Sequence, residues 1–181
     1  MRQDRFTEQA QDLLAASQDL VRKEKHSQWD VEHVLLALAS QENGLGQQIL
    51  EKAAVDINQL KNKTMTTLEN APKLSYDVVQ IYTTPRIVRM LESANAEADR
   101  LKDDYVGIEH ILIAIIDEGE GDSFQILTDL NLDKEKIYQV VPLSLKLRIF
   151  ITRLILLWEN MAKTIFYMLF LLIIFTGLSL L

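Results

Sequence analysis

Two adjacent Glu-His pairs, Glu32-His33 and Glu109-His110, have residue types that could do acid–base or metal chemistry. A general base must lie within hydrogen-bond reach of its partner, but adjacent residues on a helix point about 100° apart. The sequence also has no H-E-x-x-H motif, which would place two histidines on one helix face. A small hydrolase is therefore disfavoured, because no nucleophile accompanies either pair. We expect no catalytic residue, with each histidine packed between helices and bonded to a neighbouring loop.

A metal site built from His33 and His110 is the alternative for these pairs. Such a site needs a third and usually a fourth ligand, and the sequence shows neither. The carboxylates Asp103 and Asp104 and those of residues 117–122 lack the alternating spacing of a calcium loop. They are typical of a solvated acidic surface, so we predict no metal and no cofactor.

His26 and Trp29 lie in the polar segment before the second predicted helix. The polar neighbours of His26 predict an exposed side chain. Trp29 is expected to pack in the core, and the alternative is that it lines a groove.

Composition excludes several classes of function. Residues 1–141 hold 15 Lys and Arg against 25 Asp and Glu, which argues against a nucleic-acid surface. Cysteine is absent, so disulfides and thiolate chemistry are excluded. None of the six glycines begins the G-x-x-x-x-G-K-[ST] loop that cradles phosphates, so we expect no nucleotide binding.

The chain contains an internal duplication. Residues 6–60 match residues 83–137 without a gap at an offset of 77, which places Val31–Leu38 on Ile108–Ile115. The match extends beyond the apolar positions to the Glu-His pairs. A gap-free match of this length predicts one structural unit used twice.

Helix signals place four helices in each copy. The hydroxyl of Thr7 and the carboxylates of Asp30 and Asp56 are suited to cap helix starts, and Thr84-Pro85 opens the second copy. The nearly all-apolar helices that follow Asp30 and Gly107 should be central. We therefore predict an all-α body of eight helices in two repeats, about 6–69 and 83–141, joined by an ordered surface loop.

Several of these residues together resemble the amino-terminal domain of Clp-type chaperone ATPases, closest to the ClpB disaggregase branch. The resemblance rests on Phe6-Thr7-Glu8, on the paired Glu-His helices, on Ile49-Leu50 and on the stretch Tyr105–His110. It covers residues 1–141 and implies two pseudo-symmetric four-helix repeats without ATPase modules. It also implies client-binding positions at Thr7, Asp103 and Glu109, with apolar side chains in a groove between the repeats.

The same resemblance implies a function. The body would be a non-catalytic module that binds unfolded or aggregated protein segments, Clp adaptors or Clp ATPase subunits. The cations that precede residues 165–181 would keep this body on the cytoplasmic side of a membrane. Its clients would then undergo disaggregation or proteolysis. The alternatives are a membrane-tethered regulator of Clp machinery and a truncated fragment of a longer ClpB-like chaperone.

Composition changes after residue 141. Residues 142–164 form a basic, amphipathic linker, and residues 165–181 are uncharged and mainly apolar. Seventeen helical residues reach ~26 Å, the short end of what spans a bilayer. We therefore expect a transmembrane anchor at residues 165–181. The alternative is that this segment is the product of a frameshift. Residues 157–164, back-translated and read in a shifted frame, give LGKYGKD, which is similar to the family's segment after its linker.

Overall fold

The computed structural model describes residues 5–141, which form eight helices and two short strands. The first repeat contains α1 (Glu8–Lys23), β1 (Gln28–Trp29), α2 (Val31–Ser40), α3 (Leu45–Lys52) and α4 (Ile57–Glu69). The second contains β2 (Tyr82–Thr83), α5 (Pro85–Leu101), α6 (Ile108–Asp117), α7 (Gly121–Asp129) and α8 (134–141). The predicted all-α class with eight helices is confirmed.

The segment that begins each repeat pairs with a segment of the other repeat. β1 pairs in parallel with β2, with Trp29 opposite Thr83, and an isolated parallel bridge joins Phe6 to Val106. Shifting the first pair by 77 gives the second: Trp29 falls on Val106, and Thr83 falls on Phe6. Each repeat therefore begins by pairing with the segment before the central helix of the other, which interlocks the two copies.

Side-chain caps begin the helices as the sequence predicts. The Thr7 hydroxyl accepts from the backbone N–H of Ala10 at 3.2 Å, and the matching Thr84 hydroxyl accepts from Ile87 at 3.3 Å. Pro85 follows Thr84 at the first helical position, where a missing N–H costs no hydrogen bond.

The core is built on α2 and α6. Every residue of α2 from Val31 to Ala39 is buried, as is every residue of α6 from His110 to Ile116. α2 packs against α1 and α4, and α6 packs against α5. The predicted central positions Leu35 and Leu112 are both fully buried.

Helix ends repeat between the copies as well as helix starts. Lys25 and Lys102 have φ of 60° and 61°, and Ala54 and Asn131 have φ of 60° and 55°. Each pair is related by the offset of 77. Such left-handed residues end a helix by turning the next amides back onto its last carbonyls. The duplication therefore extends to the backbone conformation of these two turns.

No helix within residues 5–141 is long and apolar enough to cross a bilayer. The predicted linker at 142–164 and the predicted anchor or frameshift product at 165–181 lie outside the described residues.

Candidate functional site

The structure brings the three predicted binding residues to one place, where the first residues of α1 meet the loop before α6. We call residues 5–7 together with residues 103–110 the Thr7 junction. The Thr7 N–H donates to the Val106 carbonyl at 3.0 Å, and the Val106 N–H donates to the Arg5 carbonyl at 2.8 Å. The Phe6–Val106 bridge therefore fixes Thr7 beside the segment that carries Asp103 and Glu109.

Asp103 is positioned by the histidine of the second repeat. The Gly107 N–H donates to His110 Nδ1 at 2.9 Å, so this nitrogen holds a lone pair. The proton of neutral His110 therefore lies on Nε2, which is 3.1 Å from Asp103 Oδ2. His110 is buried while the Asp103 side chain is partly exposed, so the carboxylate is held at the surface by a rigid partner.

Glu109 has a carboxylate oxygen without a hydrogen bond. Its side chain folds back over Gly107, where an added Cβ would come within 2.5 Å of Oε2. This Oε2 atom is buried and has no hydrogen-bond partner among residues 5–141. A buried acceptor left unpaired is costly, and it gains free energy when a donor arrives. A donor can reach this atom only if the Glu109 side chain rotates away from Gly107, so Oε2 is an unused acceptor of the junction.

Arg5 completes the charged edge of the junction. Its guanidinium forms an ion pair with Asp99 and approaches the Asp103 carbonyl at 3.5 Å. The hydrogen bond from Arg5 lowers the pKa of the exposed Asp99 carboxyl. Asp104 beside it is exposed, so Asp99, Asp103 and Asp104 surround the Arg5 guanidinium, which is paired with Asp99.

The matching site in the first repeat is sealed. Glu32, which the offset of 77 places on Glu109, receives two hydrogen bonds from Arg86, at 2.9 Å and 3.2 Å. The N–H and hydroxyl of Ser123 also donate to its Oε1, at 3.2 Å and 3.1 Å. Burial acts to raise the pKa of Glu32, but the hydrogen bonds and charge of Arg86 together bring it below its ordinary value.

Arg86 is the structural difference between the two sites. Its guanidinium also contacts Glu118, at 2.5 Å and 3.0 Å, and Asp30 at 3.3 Å. At the position matching Arg86 the first repeat has Gln9, so Glu109 has no equivalent cation. We did not predict this role for Arg86. The contrast of Gln9 with Arg86 at matched positions was the signal in the sequence, but it had meaning only once the contact with Glu32 was known.

An apolar cavity of about 600 Å3 lies beside the Thr7 junction, where α1 and α5 meet. Phe6 belongs to both, because it forms the bridge to Val106 and also lines the cavity. Val88, on the cavity wall, is 42% exposed. The lining residues are Phe6, Gln11, Leu14, Ala15, Gln18, Trp29, Thr83, Val88 and Leu91.

Trp29 has both of the roles considered for it. Its side chain is 6% exposed, and its Nε1–H donates to the Ser17 hydroxyl at 2.9 Å. The same side chain forms part of the cavity wall. The core prediction is confirmed, and groove lining accompanies it.

The prediction that His26 is exposed is wrong. Its side chain is 3% exposed, and its Nδ1 lies 2.9 Å from Nε2 of His33. The left-handed turn at Lys25 directs the chain back into the body, where the His26 N–H donates to the Val21 carbonyl at 2.9 Å. Polar neighbours in the sequence did not reveal this turn.

The other histidines behave as expected. The Asp30 N–H donates to His33 Nδ1 at 3.2 Å, as Gly107 does to His110, so each ring bonds the loop before its own helix. Residues 5–141 contain no cluster of three or more His, Cys, Asp or Glu side chains that could hold a metal ion.

Comparison with known proteins identifies the family. The model of the Clp repeat (R) N-terminal domain matches residues 5–130. The chain belongs to this family. The chaperone protein ClpB of Bacillus cereus is 32% identical over 139 residues, which are 75% of this chain and 16% of that protein. The chain thus spans about a sixth of the length of this relative.

Solved structures share the fold. The Hsp104 N-terminal domain from Candida albicans has a TM-score of 0.67 at 20% identity, covering 77% of this chain and 91% of that domain. A ClpV N-domain in complex with a VipB peptide has a TM-score of 0.62 at 17% identity, covering 78% of this chain and 88% of that one. At these identities the likeness shows the fold alone.

Proposed function

We propose that residues 5–141 are a non-catalytic module that binds unfolded or aggregated protein segments or Clp adaptors at the Thr7 junction and the adjoining apolar cavity. The observation that carries this proposal is the contrast between the two repeats. Glu32 is sealed by Arg86 and Ser123. Glu109 instead keeps a buried oxygen without a hydrogen bond, and Phe6 of the same junction lines an apolar cavity.

The cavity supplies the driving force in this proposal. Its volume is typical of a site that accepts a side chain or small group, and burial of apolar surface there favours association. An exposed hydrophobic segment of an unfolded protein provides such surface, whereas a folded protein has buried most of it.

The carboxylates of the Thr7 junction set the orientation of a bound segment. Asp103 and Glu109 are held by the start of α6, and Thr7 is fixed next to them by the bridge. Charges at the rim of an interface mainly govern orientation and encounter rate. Backbone N–H groups or cationic side chains of a client would donate to these carboxylates while its apolar side chains enter the cavity.

The relatives support a polypeptide ligand. A ClpV N-domain of the same fold has been solved with a peptide, and the B. cereus relative is a chaperone. Disaggregation or proteolysis would require an ATPase, and Clp ATPase subunits are therefore proposed partners. A cytoplasmic location of the body follows from the same proposal.

The apolar sequence of residues 165–181 favours a second candidate, a membrane-tethered regulator or adaptor of Clp machinery. A fragment of a longer ClpB-like chaperone is compatible with the same body. In both cases the Thr7 junction would hold the client.

The proposal is tested by changing the two carboxylates in the full chain. Asp103→Asn together with Glu109→Gln keeps side-chain shape but removes charge and acceptor strength. We expect the affinity for a permanently unfolded model protein to fall at least ~5-fold, about 1 kcal/mol, with unchanged helicity by circular dichroism.

The matched control is Glu42→Gln with Glu51→Gln, which removes two exposed carboxylates of the first repeat. This pair should bind within about twofold of the wild type. Equal losses in the two double variants would mean that general charge, and not the Thr7 junction, determines binding.

A further inference from the structure

We propose that the His26–His33 pair is a proton-sensitive latch that holds residues 70–77 on the first repeat at neutral pH and releases them on acidification. The pair lies where the turn after α1 meets the first turn of α2, and neither residue belongs to the Thr7 junction. Both rings line a cavity of about 490 Å3, and Asn70, Ala71 and Pro72 of the inter-repeat segment line the same cavity.

The hydrogen bond between the rings requires an uncharged ring on one side. His26 Nδ1 and His33 Nε2 lie 2.9 Å apart, so one nitrogen carries a proton and the other a lone pair. If both rings are protonated, both facing nitrogens carry hydrogen, and attraction becomes repulsion. If one ring is protonated, a cation is enclosed in a site where both side chains are 3% exposed.

The surroundings do not compensate for such a charge. The charged groups that face the pair are Glu24 on the turn, Asp30 and Glu32 on α2, Lys73 on the inter-repeat segment, Arg86 on α5 and Asp122 on α7. Glu24 is paired with Lys73, whereas Asp30 and Glu32 are paired with Arg86. α4 contributes Thr67 and Leu68 to the cavity wall and no charged side chain.

The direction of the titration agrees with this geometry. Burial is the largest cause that lowers the pKa of both histidines, followed by Lys73 for His26 and by His26 for His33. Below the ordinary histidine value of about 6.5, the folded protein then binds fewer protons than the open form. The closed latch is therefore fully favoured above that value and loses stability as pH falls below it.

The inter-repeat segment rests on the same turn. The Leu74 N–H donates to the Lys25 carbonyl at 2.8 Å, next to His26 in sequence. Lys73 Nζ lies 3.1 Å from Glu24 Oε2, and Lys25 Nζ lies 3.7 Å from Asp77 Oδ1. Displacement of His26 would move the carbonyl and the side chains that hold residues 70–77.

The second repeat provides an internal control. The offset of 77 places His26 on Asp103 and His33 on His110. His110 thus faces a carboxylate, which accepts a hydrogen bond from the ring in its neutral or its protonated form. Only the first repeat has the ring-to-ring arrangement that a proton disrupts.

Hydrogen–deuterium exchange of the full chain at about pH 7.5 and about pH 5.5 tests the latch. After correction for the intrinsic exchange rate, protection of residues 70–77 should fall by up to about tenfold for each histidine at the lower pH. Protection of α6 should not change. The variant His26→Asp gives the first repeat the residue that the second repeat has at this position, Asp103. In this variant the protection of residues 70–77 should be equal at the two pH values.

Two results would overturn the latch. One is equal protection of residues 70–77 at both pH values in the wild type, and the other is an equal loss in His26→Asp. Should that variant fail to fold, NMR titration of the wild-type ring protons decides, because a His26 pKa at or above its ordinary value contradicts the proposal.

Discussion

Leu35 and Leu112 occupy the same position in the two copies of the repeat. Both are fully buried at equivalent points of α2 and α6, on the helices that carry the Glu-His pairs. A leucine at such a site contacts neighbours on all sides, and its truncation leaves a cavity that the surrounding helices only partly fill.

Leu35→Ala and Leu112→Ala should each lower the free energy of unfolding of the full chain by about 2–5 kcal/mol, measured by chemical denaturation. Met65→Ala is the control, because Met65 is 44% exposed and should cost about 0.5 kcal/mol or less. Losses below about 1 kcal/mol at both leucines would show that the core lies elsewhere.

Individual side chains also mark where sequence reasoning ends. The caps Thr7, Asp30 and Asp56 could be predicted because each bonds an amide within three residues. On α4 the apolar Met65 is exposed, whereas the neighbouring Thr64 is buried, with its hydroxyl donating to the Leu60 carbonyl at 2.9 Å. That small internal bond lets a polar residue occupy the inner face.

The candidate site shows the same limit. Thr7, Asp103 and Glu109 came from resemblance to a family, and the structure places them around one bridge. The sealing of Glu32 by Arg86 was not predictable, because these residues are far apart in the chain and meet only after the repeats interlock. Contacts that depend on tertiary pairing leave no local pattern.

At the scale of elements, the turn after α3 is repeated in the turn after α7. α3 and α7 both end in a turn whose left-handed residue is Ala54 in one copy and Asn131 in the other. In each, the next N–H reaches back to the helix at 2.9 Å, from Val55 to Leu50 and from Leu132 to Leu127. The backbone is therefore equivalent although the residue differs.

This pair predicts opposite consequences of the same change. A left-handed conformation costs alanine roughly 1–2 kcal/mol, whereas asparagine tolerates it and glycine adopts it freely. Ala54→Gly should therefore raise the free energy of unfolding by about 0.5–1 kcal/mol, and Asn131→Gly should change it much less. Both residues are exposed, so packing is unaffected. Destabilisation by Ala54→Gly in urea titrations would contradict the assigned turn.

At the scale of the molecule, the pairing between the two repeats creates the candidate site. The parallel pairing of β1 with β2 and of Phe6 with Val106 joins the two copies, and side chains of α1 and α5 line one cavity. The apolar cavity forms between these two helices, and the acidic Thr7 junction forms at its edge. One repeat alone would have neither, because both features take residues from each copy.

The interlocked body also explains how an acidic protein could hold apolar segments. Charge at the rim is screened by salt, whereas burial of apolar surface is not. We expect weak binding, on the order of micromolar or weaker, because a module that passes its clients onward must release them. Salt dependence therefore separates the two contributions.

The most direct measurement is a calorimetric titration of the full chain with permanently unfolded, reduced α-lactalbumin at about 50 mM and about 500 mM salt. We predict that binding persists at high salt with less than about a tenfold loss of affinity, because the cavity supplies most of the free energy. Complete loss of binding at high salt would show that charge alone holds the client and would contradict the proposed mechanism.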